Sequence, residues 1–177
     1  MMSLKELTKE QHTAAEATPF MKAVFKKSMP MSVWKNFTFQ KAQFYRMIEA
    51  KTRRFNLLGG LEGIERAELL DNDYFAMQGP GAVASKETTA YCQYLDSITD
   101  PEKMLAHLYV WHMGDMFGGQ MIKKIVDAPS LALDFENPDE LKANMYVKLK
   151  DTMADEANLA FEWAIKIMNE YADELAV

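Results

Sequence analysis

At 177 residues the chain can bury a sizeable core, and its wealth of Ala, Leu, Lys, Glu and Met over six prolines and eight glycines favours helix over sheet. The net charge of −6 argues against nucleic acid as a partner, yet residues 1–54 carry eleven Lys/Arg against four Asp/Glu while the remainder carries nine against twenty-two. Cys92 is the only cysteine, which excludes an internal disulfide and a thiolate cluster for zinc or iron–sulfur, and no apolar run approaches the ~20 residues that a bilayer span needs.

The opening MMSLKELTKEQH lacks the apolar core of a signal peptide, and the closing NEYADELAV lacks an anchor. A soluble, cytoplasmic protein of a single domain over residues 1–177 is expected. In chain order, Ser3 and Glu6 form a capping box for a first helix that runs to about Ala17, with Pro19 ending it. Ser32 opens a long helix through Trp34, Phe37, Phe44 and Ile48, which Gly59-Gly60 stops. Gly79-Pro80-Gly81 reads as a loop, and Ser85 starts a helix to about Ile98. Asp100 caps the next helix, with Pro101 at its first position, where a missing N–H costs nothing. Asn137, Pro138 and Glu140 repeat that signature for a last helix towards Leu175, bent near Met153. No stretch alternates with period two, so the expected fold class is all-α, a helical bundle.

Two of these helices carry chemistry. On the first, Lys5, Lys9, His12 and Glu16 are spaced by four, three and four residues, which aligns them in one stripe. A neutral imidazole is a good axial ligand for haem iron, and a carboxylate one turn later can accept its other N–H. Lysine and glutamate at this spacing also form ordinary surface pairs, so the stripe alone does not establish a site.

The second runs from His107 to Gln120 and holds Gly114, Gly118 and Gly119. Each glycine inside a helix costs about 1 kcal/mol relative to alanine, so a compensating role is expected. Gly114 and Gly118 share a face that a flat object could approach, with Asp115 beside it; close helix–helix packing is the competing explanation. The fourteen methionines can fill the core or line an adaptable apolar pocket.

Leu7-Thr8-Lys9-Glu10-Gln11-His12-Thr13-Ala14-Ala15-Glu16 resembles the proximal helix of the biliverdin-forming haem oxygenases. The segment His107 to Lys124, with Gly114-Asp115, Gly118-Gly119-Gln120 and the trailing Lys123-Lys124, resembles their distal helix. The similarity is specific over these stretches and weak between them. It implies a bundle with haem b, both cofactor and substrate, sandwiched between the two helices.

Carried over position by position, the resemblance makes His12 the metal ligand and Glu16 its hydrogen-bond partner, with Lys5 and Lys9 at the haem propionates. Gly114, Gly118 and Gly119 then lie against the haem face, and Asp115 orders distal water and supports proton delivery to activated oxygen, joined by Tyr45 of Gln43-Phe44-Tyr45-Arg46-Met47-Ile48-Glu49. Met113, Met116, Phe117 and Met121 are expected to crowd the pocket. The implied reaction opens haem to biliverdin IXα with release of carbon monoxide and ferrous iron. It uses O2 and electrons from a reductase or ferredoxin docking on the basic N-terminal third, and a bilin reductase is a candidate downstream partner.

Departures from the pattern fall at Val110-Trp111-His112, where the family has Thr-Arg-Tyr, and at Val147, where an arginine commonly holds a propionate. His112 is a candidate replacement donor for the missing arginine, and Lys148 or Lys150 for the missing propionate contact. A haem carrier without degrading activity is the main alternative, and Asp115 disfavours it because a carrier needs no proton relay. A carboxylate-bridged di-iron bundle would want Glu-x-x-His motifs, and none of His12, His107 and His112 has a Glu three residues before it.

Overall fold

The structure, a computed structural model, describes residues 2–175, and the regular elements among them are helical. Ten α-helices follow in order: α1 Leu4–Leu7, α2 Lys9–Glu16, α3 Pro19–Phe25, α4 Met31–Arg54, α5 Ala67–Ala76, α6 Lys86–Ser97, α7 Pro101–Ile125, α8 Pro138–Tyr146, α9 Ala154–Asn169 and α10 Ala172–Leu175. Single 3₁₀ turns lie at Leu131–Leu133 and Asp151–Met153. No helix is long and apolar enough to cross a membrane, among the described residues.

Helices α4 and α7 form the centre. α4 packs against α5, α6 and α7, while α9 packs against α7, α2 and α6. From α4, Val33, Phe37, Phe44, Tyr45 and Ile48 point inward; from α7, Met104, Leu105, Leu108 and Met116 meet them. The long rows of apolar residues at helical spacing are what seat these two helices at the core.

Buried polar side chains on α4 tie the surrounding loops down. Lys35 donates to the Gly79 carbonyl (2.7 Å), and Gln40 binds Val83 O (2.8 Å) and Ser85 N (2.9 Å). Lys51 donates to the carbonyls of Asp96 (2.7 Å) and Ile98 (2.6 Å), a cation placed where the α6 C-terminus leaves acceptors unpaired. These bonds satisfy groups whose burial would otherwise be costly.

The capping residues read from the sequence act as expected at three helix starts. Ser3 and Glu6 form both halves of the capping box, Ser85 accepts from Thr88 N, and Asp100 accepts from Glu102 N ahead of Pro101. Other boundaries differ. The first helix breaks at Thr8, and Pro19 begins α3 rather than only ending its predecessor, because Thr18 accepts from Met21 N. α4 stops at Arg54, before the glycine pair: Asn56 takes a positive φ of 57°, and the bonds Leu57 N to Thr52 O and Asn56 N to Arg53 O close a Schellman turn. The expected last helix is divided, with α8 ending at Tyr146 and α9 beginning at Ala154. Asn137 makes no side-chain cap.

Candidate functional site

α2 carries His12, and the chain lays this helix on α9 by burying Ala15. The imidazole is 60% exposed; Nε2 lies 3.1 Å from Glu16 Oε1, and the ring centroid lies 5.5 Å from that of Phe161 on α9. Glu16 is therefore within reach of one ring nitrogen and leaves the other for a ligand. Lys5 and Lys9 are exposed, as is Glu16, so the stripe of four faces solvent.

α7 also packs on α9, which gives the two motif helices a common support. Gly114 and Gly118 are exposed, and a Cβ built on either would meet nothing within 4 Å. A side chain at either position would fill open space, which is the condition for a flat ligand to come close to helix backbone. Phe117 and Met121 are exposed beside them. Gly119 is different: its Cβ would come within 2.8 Å of Leu133 Cδ2, so it is buried by packing on the 131–133 turn rather than open to a ligand. Met113 and Met116 likewise sit in the core, leaving only Phe117 and Met121 of the four expected pocket residues exposed.

Asp115 lies one position from the open glycine, yet its side chain is 10% exposed. Tyr45 on α4 donates its hydroxyl to Oδ2 at 2.6 Å, with the Trp111 carbonyl 3.0 Å away. Burial, with Asp115 and its hydrogen bond adding to it, raises the Tyr45 pKa well above its ordinary value, so the phenol keeps its proton and stays a donor. Lys41, one turn before Tyr45, donates from Nζ to Oδ1 at 2.5 Å. Tyr45 is marked by the family resemblance, whereas Lys41 has no signal in the sequence beyond its i−4 spacing from that tyrosine. Asp115 borders a small cleft of about 40 Å³ that also touches Trp34, Phe37, Lys41, Asp73 and Ile122. His12, Gly114 and Gly118 do not line that cleft.

The residues offered as replacements fall elsewhere. His112 does not reach Asp115: its Nε2 is 2.8 Å from Glu49 Oε2, and its ring stacks on Tyr45 at 4.4 Å. It supports the tyrosine from behind rather than donating to the carboxylate. Val147 is 84% exposed, Lys148 is half-buried just after α8, and Lys150 is exposed. Lys142 on α8, unremarked in the sequence, places Nζ 5.0 Å from the Phe117 ring centroid.

A second buried network uses His107. Trp111 Nε1 donates to Tyr91 OH (3.0 Å), and the tyrosine hydroxyl, 2.6 Å from His107 Nδ1, donates to it. That leaves the proton on Nε2, which meets Glu156 at 2.7 Å. Burial lowers the His107 pKa and keeps the ring neutral, so this array clamps α6, α7 and α9 together. Burial also pushes the Cys92 thiol up to about 11, which suits a packing residue and not a nucleophile.

An exposed imidazole beside a carboxylate and a helix backbone left bare at Gly114 and Gly118 are the kinds of group that haem ligation and close approach of its face call for. The family model "Heme oxygenase" matches residues 1–170. Heme oxygenase 2 of Macaca fascicularis is 30% identical over 94% of this chain, which spans 63% of that relative's length. The crystal structure of heme oxygenase-1 from Synechocystis in complex with heme superposes with a TM-score of 0.84 at 24% identity, covering 97% of this chain and 91% of the other. The heme oxygenase of Leptospira interrogans gives 0.81 at 23% identity over 96% and 100%. The two structures share its fold, and the match along residues 1–170 shows that the chain belongs to the haem oxygenase family.

Proposed function

We propose that the chain, acting as one domain over residues 1–177, opens the haem macrocycle oxidatively to biliverdin, with release of carbon monoxide and ferrous iron. Haem, when bound, supplies the iron that activates dioxygen and the ring that is oxidised. His12 would hold the iron through the ring nitrogen opposite the one bonded to Glu16, which keeps the imidazole oriented. Lys5, Lys9 and Lys148 would meet the propionates. Gly114 and Gly118 let the macrocycle approach α7, and Phe117 with Met121 would shield its edge.

Asp115 carries the oxygenase reading over the carrier reading. A carboxylate held by a buried tyrosine, one residue from the open glycine face, has a use in proton delivery and none in storage. Asp115 would accept hydrogen bonds from water above the glycine face and pass protons on, while Tyr45 fixes one of its oxygens. Electrons would come from ferredoxin or another external donor docking on the basic N-terminal third, and a bilin reductase would take up the product. Replacement of the family arginine at Val147 leaves the orientation of haem in its slot, and hence the IXα isomer, to the lysines.

Reconstitution with haemin, followed by a reducing system under air, tests this directly. The Soret band should decay as a biliverdin band grows, and chromatography should identify the IXα isomer. A haem spectrum that stays unchanged through many reducing equivalents would move the assignment to a carrier.

A further inference from the structure

Among the described residues, Lys41 is the one cation that pairs with the Asp115 carboxylate. It stands on the same stripe of α4 as Tyr45, one turn earlier, so both side chains reach α7 together. Its Nζ lies 2.5 Å from Asp115 Oδ1 and 5.2 Å from the Tyr45 ring centroid, and the Lys41 side chain is only 14% exposed. The neighbouring carboxylate of Asp73 borders the same cleft but is occupied, accepting from the backbone N–H of Leu131 (2.9 Å) and Ala132 (3.0 Å). Lys41 and Tyr45 therefore grip the two oxygens of Asp115 from one side. Without the ammonium, Oδ1 would lose its partner and the carboxylate would be held at Oδ2 by Tyr45 alone. Each gripped oxygen retains a lone pair for a further donor.

We propose that Lys41 is a positioning residue for Asp115: its ammonium balances the carboxylate and, with Tyr45, locks it in the rotamer it takes one position from Gly114. The consequence for turnover rests on the reading of the chain as a haem-degrading oxygenase; the hold of Lys41 on Asp115 does not. A charge pair at this degree of burial, close enough to be a strong hydrogen bond, restricts the carboxylate more than the tyrosine could alone. Lys41 touches neither His12 nor the glycines, so its effect on haem would pass through Asp115.

The test begins on the ligand-free protein, with the proton NMR resonance of the buried Tyr45 hydroxyl, assigned by its loss in Tyr45→Phe. In Lys41→Met this resonance should broaden beyond detection as Asp115 is released, and in Lys41→Arg it should persist. Heat denaturation of a double-mutant cycle with Asp115→Asn guards against a general folding defect: Lys41→Met should lower Tm in the wild-type background and leave it nearly unchanged once Asp115 is neutral. In the haemin-loaded protein, the biliverdin formed per haem consumed should fall about tenfold in Lys41→Met and return to within about threefold in Lys41→Arg, with haemin affinity unaltered. A hydroxyl resonance and a biliverdin yield both unchanged in Lys41→Met would overturn the assignment. So would equal Tm losses in both backgrounds. If the resonance is lost but wild type itself forms no biliverdin, the proposed reaction fails and the hold on Asp115 stands.

Discussion

Glu49 shows how one side chain can organise both the fold and the site. It is 3% exposed, accepts from the backbone N–H of Arg66 (2.7 Å) and Ala67 (3.1 Å), and meets His112 behind Tyr45. Burial works to raise its pKa, but the His112 bond and the two N–H donors together bring it below the ordinary 4.5. Glu49→Gln keeps the shape and substitutes an amide that cannot accept all three bonds, so a loss of about 2–4 kcal/mol is expected in urea unfolding. A loss below ~0.5 kcal/mol would show that the carboxylate is not the fastening of α5. His12 behaves in the opposite way. Because the ring is exposed, His12→Ala should leave ligand-free stability within about 0.5 kcal/mol of wild type. Its haemin dissociation constant, from optical titration, should rise at least about tenfold.

At the scale of elements, what the sequence discloses depends on how far away the stabilising partner lies. Ser3, Ser85 and Asp100 cap within three residues of themselves, so their helices are readable from local spacing. α5 has no local cap at Arg66, since the acceptor for its first N–H groups is Glu49, 17 and 18 residues earlier, and the sequence gives no sign of it. His12, Glu16, Gly114 and Asp115 are legible because their spacing within one helix is the signal. Lys41 is not, because its partner is 74 residues away. Gly118 and Gly119 look alike in the sequence and differ in the fold. Gly118→Ala should stabilise the ligand-free protein by up to about 1 kcal/mol through helix propensity while obstructing haem. Gly119→Ala forces Leu133 aside and should forfeit that gain or destabilise by about 1–2 kcal/mol. Equal Tm shifts for the two variants would refute the distinction.

For the molecule as a whole, the buried networks set the pH dependence. The His107 pKa is lowered from 6.5 by burial, so below that pH the unfolded chain binds a proton that the folded chain resists, and stability declines as pH falls. Glu156 resembles Glu49: burial opposes it, yet His107 and Tyr94 bring its pKa below 4.5. The stability these two carboxylates supply is complete above that value and is lost as pH falls through their lower folded values. Ligand-free Tm should therefore be level near neutrality, decline below about pH 6.5 and drop more steeply below about 4.5. A stability maximum near pH 5 would contradict this.

The proposed reaction turns on an exposed imidazole, an open glycine face and, one position from it, a buried, doubly gripped carboxylate. Product analysis of Asp115→Ala beside wild type, each loaded with haemin and given the same reducing equivalents, tests it most directly. Both proteins should bind haemin with similar affinity, and wild type should yield biliverdin while Asp115→Ala consumes the electrons with little or none. Biliverdin formed by Asp115→Ala at the wild-type rate would contradict the role assigned to the carboxylate.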